Sequence, residues 1–514
     1  MNRDDNTGTT LPELLESRAR SHPGRIFAVL ESAEIRYGDF KASVDRVAAS
    51  LHALGVARGD RVVCTLPNGS EMLYTLFAVA RLGAVNVFIN PQYDAELFGK
   101  VARSVEPRAY ILDAENMAKA RHLALPGARV VGGQGQPVAG ELAYASLLAG
   151  NPAQLPPARV QPGDPFQYIF TSGTTGLPKA CILSHHARLS LSEHVVRLFG
   201  ATDEDRFFGC LPNYHGNLYF AIFGALLTGG SFALAERFHA SQYWEQVRRF
   251  QATLLILHAV PMNILLAAPV RDNDSHHPAR GVLTVGGRFQ EFGSRFGLNT
   301  VMVSYGATEV GLTALGVLPS WTARNTPASY AGRVRDDHEV RIVRENGSIA
   351  ARQELGEIQV RARVPFTIFS GYHTPQGRQG SADGLQWYRT NDLGMFDEQG
   401  VLHFHGRRGE SVRVKGEFVP VEYLESMIRR HPLVEDCAVL GVASELGDQD
   451  LVVFVQKPEN PALSGEELVE FLLPRVPKFM LPKRVEFLVE FPRTPSTLKV
   501  QKNRLLAALC APSA

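Results

Sequence analysis

The stretch TSGTTGLPK, Thr171–Lys179, directly follows the apolar run YIF at 168–170. Thr171, Ser172, Thr174 and Thr175 bring hydroxyls, and Lys179 adds a mobile positive charge. Gly173 and Gly176 let the backbone turn tightly and bring N–H groups to a bound anion. Such a loop behind a strand is suited to cradling a polyphosphate. It does not fit G-x-x-x-x-G-K-[ST], so it is not a Walker A loop. A plain Ser/Thr/Gly-rich surface turn would account for the composition but not for nine residues in this order behind a strand.

Outward from the loop, the chain alternates helix and strand. Phe40, Val44, Val47, Leu51 and Leu54 recur at four- and three-residue spacing, which predicts a helix closed by Gly55. A β-branched run at Arg61–Leu66, a helix over Glu71–Leu82 ended by Gly83, and a strand at Val85–Ile89 follow. A further helix is expected after Asp94 and a strand at Ala109–Leu112. Strands separated by helices and short links imply βαβ crossovers and a parallel sheet. Residues 131–165, rich in Gly, Pro and Ala, read as a long surface connection. His338–Val364 alternates β-branched and polar residues, which suggests an antiparallel portion. Beyond Gly406–Gly409 a smaller α+β pattern begins. It has helices at Val421–Arg430 and near Glu466–Leu473, and strands at Cys437–Val442, Leu451–Gln456 and Val485–Val489. The expected fold class is α/β. A large N-terminal region, residues 1–406, holds parallel-rich sheets flanked by helices plus the antiparallel portion; a small α+β C-terminal domain spans residues 407–514.

Composition narrows the function. The 514 residues carry 53 Lys plus Arg against 52 Asp plus Glu. A net charge of +1 leaves no electrostatic footprint for nucleic acid, so a small molecule in a pocket is the expected partner. The five cysteines are scattered without a C-x-x-C pair, against a zinc site or disulfide framework and in favour of a reducing compartment. The polar start, MNRDDNTGTT, has no apolar segment of a signal peptide, and a cytoplasmic location is expected. Leu218–Ala235 and Ala252–Pro269 come nearest to a membrane span, but Gly224, Gly229, Gly230, His258 and Pro261 interrupt them. They read instead as helix–turn–strand and strand–turn–helix. Peripheral contact with a lipid surface stays open.

TSGTTGLPK resembles the signature loop of adenylate-forming enzymes, the superfamily of acyl-CoA synthetases, luciferases and peptide-synthetase adenylation domains. Further segments along the chain resemble that family's motifs. SYGATEVG, Ser304–Gly311, is similar to Y-G-x-T-E, and Gly286-Gly287 to the segment lying against adenine. YRTNDLGMFDEQG, Tyr388–Gly400, is similar to the T-G-D segment, with Asn391 where the family usually has Gly. GRRGESVRVKGE, Gly406–Glu417, resembles the hinge between the large domain and a small mobile one. PRTPSTLKVQK, Pro492–Lys502, resembles the segment with the catalytic lysine. Gly409 and this last segment are most similar in detail to fatty-acid-transport-type, very-long-chain synthetases. The resemblance spans roughly residues 10–505.

The resemblance implies roles residue by residue. ATP would lie on Thr171–Gly176 and Lys179, with Tyr305 and Gly306 at the adenine, Thr308 on a phosphate and Glu309 holding Mg2+. Asp392 would accept hydrogen bonds from the ribose hydroxyls, and Arg407 would contact ribose or phosphate. Lys499 would be the catalytic lysine, with Lys502 the competing choice. After rotation about a hinge near Gly409, Lys415, Gly416 and Glu417 would meet the pantetheine thiol of coenzyme A. The family's next residue is usually Asn, where this chain has Phe418. LPNYHGN, Leu211–Asn217, resembles the P-x-x-H-x-x-G region beside the acyl tunnel, placing Tyr214 and His215 at the acid pocket. Residues 218–227 could wall that tunnel or form a core helix. The implied reaction is formation of an acyl-adenylate from a carboxylic acid, then thioester formation with coenzyme A. The Asn391 and Phe418 departures keep other acceptors and acids in view: a carrier-protein thiol, an amine, or nitrite in a diazotising pathway. A nucleotide-binding scaffold without catalysis is the reading from another class.

Overall fold

The computed structural model describes residues 9–157, 159–171, 178–408, 412–414, 417–419, 421–443, 449–457, 463–476, 478–494 and 500–510. The chain divides into two compact units. The first holds residues 1–325, 334–339 and 360–388. The second holds residues 326–333, 340–359 and 389–514.

In the first unit, RVVC (Arg61–Cys64), VNVF (Val85–Phe88) and AYIL (Ala109–Leu112) form the parallel centre of one sheet. Their runs are apolar on both faces because both faces are covered. Val62, Cys64 and Ile111 enter one buried cluster, and Val63, Tyr110 and Leu112 another. Strand Pro165–Thr171 joins this sheet parallel to Val85–Phe88, and Lys179–Ser184 and Tyr372–Thr374 add to it antiparallel. A second sheet in this unit runs in the order Gly311–Pro319, Thr300–Ala307, Gly281–Val285, Leu254–His258, Arg206–Gly209, Ser231–Leu234, Ile26–Val29, Glu34–Arg36. It is parallel except at its two outer pairings in this list.

The apolar helix Tyr219–Thr228 is core: every residue from Tyr219 to Leu227 is buried. Gly224 allows this packing, since a Cβ there would come within 2.8 Å of the Phe207 ring. Gly229, at φ +75°, ends the helix in the left-handed region and starts the turn into Ser231–Leu234. Among the described residues no helix is long and apolar enough to cross a membrane. Cys64, Cys181, Cys210 and Cys437 are free and buried.

The expected plain connection over 131–165 is corrected by the structure. It contains the short strand Leu142–Ala143, paired with Ala128–Val131, and a helical turn at Tyr144–Leu147. Tyr144 and Leu147 are buried and fasten this segment to the core.

In the second unit, strands Tyr330–Val334, Leu402–Arg407, Tyr388–Phe396, Gly356–Ala362 and His338–Val343 lie in that order. Asp436–Ala443, Gln449–Gln456 and Arg484–Leu488 form a separate three-stranded sheet, the first pair antiparallel and the second parallel. Leu451, Val453 and Val455 face a core with helices Val421–Ile428 and Gly465–Leu472, while Val452 and Phe454 pack with Phe491 and Leu505. The period-two alternation of LVVFV produces these two faces.

Two histidines of the first unit are fully enclosed. His185 and His338 have no hydrogen-bond partner for either ring nitrogen among the described residues. Burial pushes each pKa down to about 3. The free imidazole value is about 6.5. Between these limits the unfolded chain binds more protons, so stability falls as pH falls through that window. The melting temperature should therefore drop progressively from about pH 6 to pH 4. His185→Phe, which keeps a ring beside Phe166, should give a shallower slope in thermal melts across that range.

Candidate active site

The phosphate-loop segment is closed at its base by a strand pair. Thr171 lies opposite Lys179, and Phe170 opposite Ala180. Residues 172–177, which include the expected contacts Ser172, Gly173, Thr174, Thr175 and Gly176, lie outside the described residues. Lys179 places its ammonium 5.4 Å above the ring centroid of Tyr372. Tyr372 comes from the neighbouring strand, opposite Cys181.

Tyr372 also reaches the Y-G-x-T-E segment. Its hydroxyl donates to Glu309 Oε1 at 2.7 Å and lies 2.9 Å from the Tyr388 hydroxyl. The Glu309 carbonyl accepts from Phe369 N at 2.8 Å, and the Phe369 ring meets both tyrosines edge-on. Burial, then the Glu309 charge, push the Tyr372 pKa upward, so Tyr372 stays a donor. Glu309 is 7 % exposed. Its one side-chain hydrogen bond among the described residues is to this phenol, and no cation pairs with it there. A buried carboxylate left without a counter-charge is costly, and its hard oxygens suit a divalent cation. No group of three or more potential ligands exists among the described residues. One buried carboxylate, Glu309, fits magnesium, which typically takes one or two carboxylates and completes its shell with water and phosphate oxygens.

Three parallel strands end side by side, with His258, Val285 and Ser304 in register. Just beyond them stand Gly286-Gly287 and Tyr305. In open α/β sheets, ligands bind at such carboxyl ends. Gly286 and Gly287 have φ of +68° and +87°, and a Cβ on Gly287 would lie 2.9 Å from Ala259 Cα. Tyr305 is buried and Thr308 half-buried. Gly306 is demanded by a close approach, since a Cβ there would lie 2.0 Å from the Gly311 carbonyl oxygen.

On the acid-pocket stretch, the His215 N–H donates to Pro212 O at 3.1 Å, and the Tyr214 and His215 rings lie 4.6 Å apart. Asn217 Nδ2 lies 3.3 Å from His258 Nδ1, joining this stretch to the end of strand Leu254–His258. In the sequence His258 reads only as a break in an apolar stretch, and Tyr372 is not singled out. The signal at His258 was a polar ring ending the apolar run LLIL.

In the second unit, Asp392 and Arg407 are paired opposite one another, with Arg407 Nε donating to Asp392 Oδ1 at 3.3 Å. Asp392 is 4 % exposed. Its N–H donates to the Thr390 hydroxyl, which in turn donates to the Ile358 carbonyl. Asn391 has φ +59°, the left-handed region that favours glycine. Asn is among the few other residues that enter it readily, which accounts for its standing where the family usually has Gly. Lys415 and Gly416 lie outside the described residues, between Val414 and Glu417, which pair antiparallel. Lys499 and Gly409 also lie outside them. Lys502 is described, and its ammonium donates to Glu425 Oε1 at 2.7 Å.

The model of the AMP-binding enzyme family matches residues 15–373, and that of the AMP-binding enzyme C-terminal domain matches residues 423–497. The chain belongs to the AMP-binding enzyme family. A crotonobetaine/carnitine–CoA ligase of Salmonella paratyphi C is 27 % identical, across 96 % of this chain and 99 % of the relative. The anthranilate CoA ligase AuaEII, solved with anthranoyl-AMP, is 20 % identical with a TM-score of 0.84, covering 99 % of each chain. O-succinylbenzoate coenzyme A synthetase of Bacillus subtilis, solved with ATP and magnesium, is 23 % identical with a TM-score of 0.81. That match covers 97 % of this AMP-binding enzyme and all of the neighbour's chain. The chain is thus an AMP-forming ligase of two-part α/β architecture.

Proposed function

We propose that this enzyme joins a carboxylic acid to ATP, releasing pyrophosphate, and then passes the acyl group to coenzyme A. The arrangement of Lys179 over Tyr372, with Tyr372 holding Glu309, carries the reading. It ties the polyphosphate loop to a buried, uncompensated carboxylate through one side chain. The names of the relatives, coenzyme A ligases acting on several acids, support the same acceptor.

In this reading Tyr305 and Gly306, with Gly286-Gly287, receive the adenine. Asp392 accepts from the ribose hydroxyls, and Arg407 supplies positive charge beside it. Thr171–Gly176, Lys179 and Thr308 hold the phosphates. Glu309 holds magnesium, which when bound neutralises charge on the phosphates. His215 borders the acid. Both reactants are anionic, so positive potential at the point of attack lowers the barrier. Lys499 supplies it on the α-phosphate side.

The second step uses residues 407–514 as a small domain turning on Gly409. Lys415 and Gly416 then meet the pantetheine arm. Glycine gives the pivot free choice of φ, and proline removes it. Gly409→Pro should impair thioester formation more than adenylate formation. Equal loss of both steps in separate assays would count against the pivot. Coenzyme A as acceptor is tested by isolating the adenylate and adding the thiol: acyl-CoA should form. An adenylate that coenzyme A never consumes would shift the acceptor to a carrier-protein thiol or an amine.

The likeness to transport-type synthetases rests on Gly409 and the Pro492–Lys502 segment. We place the enzyme in the cytoplasm, where ATP and coenzyme A are supplied; the free, buried Cys64, Cys181, Cys210 and Cys437 support a reducing compartment.

A further inference from the structure

Arg188, on helix His185–Phe199, is 6 % exposed. The other buried arginine among the described residues, Arg335, stands against Asp337 at 2.6 Å. Arg188 has no carboxylate partner among the described residues. Its Nη2 donates to Gln167 Oε1 at 2.6 Å, and its Nη1 makes a long contact of 3.4 Å to Gly216 O. Its Nε is buried with no acceptor among the described residues. The guanidinium lies 4.6 Å from the Tyr219 ring centroid. Its contacts among the described residues are neutral groups, and burial pushes its pKa down to about 10, so it stays charged at neutral pH.

Keeping a buried cation among neutral groups is expensive unless an anion completes the site. Those neutral groups are themselves fixed. Gln167 Nε2 donates to Tyr219 Oη, and Tyr219 Oη to Asn213 O, each at 2.6 Å. The guanidinium is therefore held in place at the 213–219 stretch. Gly216 immediately follows His215, and a Cβ there would stand 3.3 Å from Arg188 Nη1. Arg188 therefore packs directly against the stretch that carries His215. Gln167 lies four residues before Thr171 on one strand, about 13 Å at extended spacing. That spacing sets Gln167, which anchors the guanidinium, apart from the base of the phosphate loop.

We infer that Arg188 recognises a second carboxylate on the acid, so that the substrate is a dicarboxylic acid. This rests on the adenylating reading above. A guanidinium–carboxylate contact is charge-assisted, and hydrogen bonds of that kind are worth about ten- to hundredfold in kcat/KM. A quaternary-ammonium acid is repelled at the same place.

The test is acid-dependent ATP–pyrophosphate exchange by the full-length enzyme with matched pairs: adipate against hexanoate, phthalate against benzoate, and carnitine as the cationic probe. The dianion of at least one pair should exceed its partner by about ten- to hundredfold in kcat/KM, with carnitine last. Arg188→Gln should abolish that ratio, and Arg188→Lys should retain part of it. A structural role alone would lower activity toward both members alike. Should Arg188→Gln fail to fold, the wild-type ranking decides. Equal or better use of hexanoate, benzoate or carnitine overturns the inference while leaving adenylation intact. Exchange with a monocarboxylate but with neither dianion likewise overturns the inference, and the adenylating reading is judged separately by acid-dependent pyrophosphate release over the wider acid panel.

Discussion

Glu309→Gln should lower the rate of pyrophosphate release by about 10²- to 10³-fold, the usual cost of losing one electrostatic contact in the transition state. The replacement keeps the size of the side chain and an oxygen for the Tyr372 hydroxyl at 2.7 Å. What it removes is the negative charge, the feature magnesium needs. Folding should not suffer, because the wild-type carboxylate is 7 % exposed and without a cation partner among the described residues. Thermal melts should therefore show an unchanged or higher midpoint, while excess magnesium restores part of the rate. A variant with the wild-type rate at low magnesium would remove Glu309 from the metal site. Tyr372→Phe should fall between the two, since the carboxylate remains but loses its one described side-chain donor.

The second large effect separates two lysines. Lys499→Ala should lower adenylate formation by about 10²- to 10³-fold. Thioester formation from a supplied acyl-adenylate should change only a few-fold, because in the proposed reading this lysine serves the first step. Lys502→Ala should do the opposite: little change in either step, but a less stable second unit. Its ammonium pairs with Glu425, which is 6 % exposed and also accepts from Val439 N at 2.9 Å. Leaving that carboxylate with fewer donors costs about 1–3 kcal/mol, reduced by screening because the Lys502 side chain is one-third exposed. A large loss of adenylation in Lys502→Ala with Lys499→Ala active would exchange the two roles.

The parallel centre of the first unit was legible because RVVC, VNVF and AYIL are apolar throughout, as a sheet covered on both faces requires. The 131–165 segment was not. A two-residue strand and a four-residue helix are too short to leave a period, and Tyr144 and Leu147 are held by tertiary contact. Sequence also left residues 218–227 between a tunnel wall and a core helix; uniform burial makes them core.

Site residues within one motif could be read from order alone. Those meeting across the chain could not. Tyr372 reaches Glu309 over 63 residues, and no local pattern marks it. Arg188 looks like one polar residue on a helix until the absence of a carboxylate against it is seen. Asn391 was visible as a departure, but its reason needed the backbone, where a positive φ allows Asn and penalises most other side chains.

The central claim is tested most directly by incubating the enzyme with Mg·ATP, a panel of mono- and dicarboxylic acids and coenzyme A, and identifying every product by mass. Acid-dependent, magnesium-dependent formation of pyrophosphate, AMP and an acyl-CoA in equal amounts is the predicted result. ATP binding without acid-dependent pyrophosphate, or cleavage to ADP and phosphate, would contradict it.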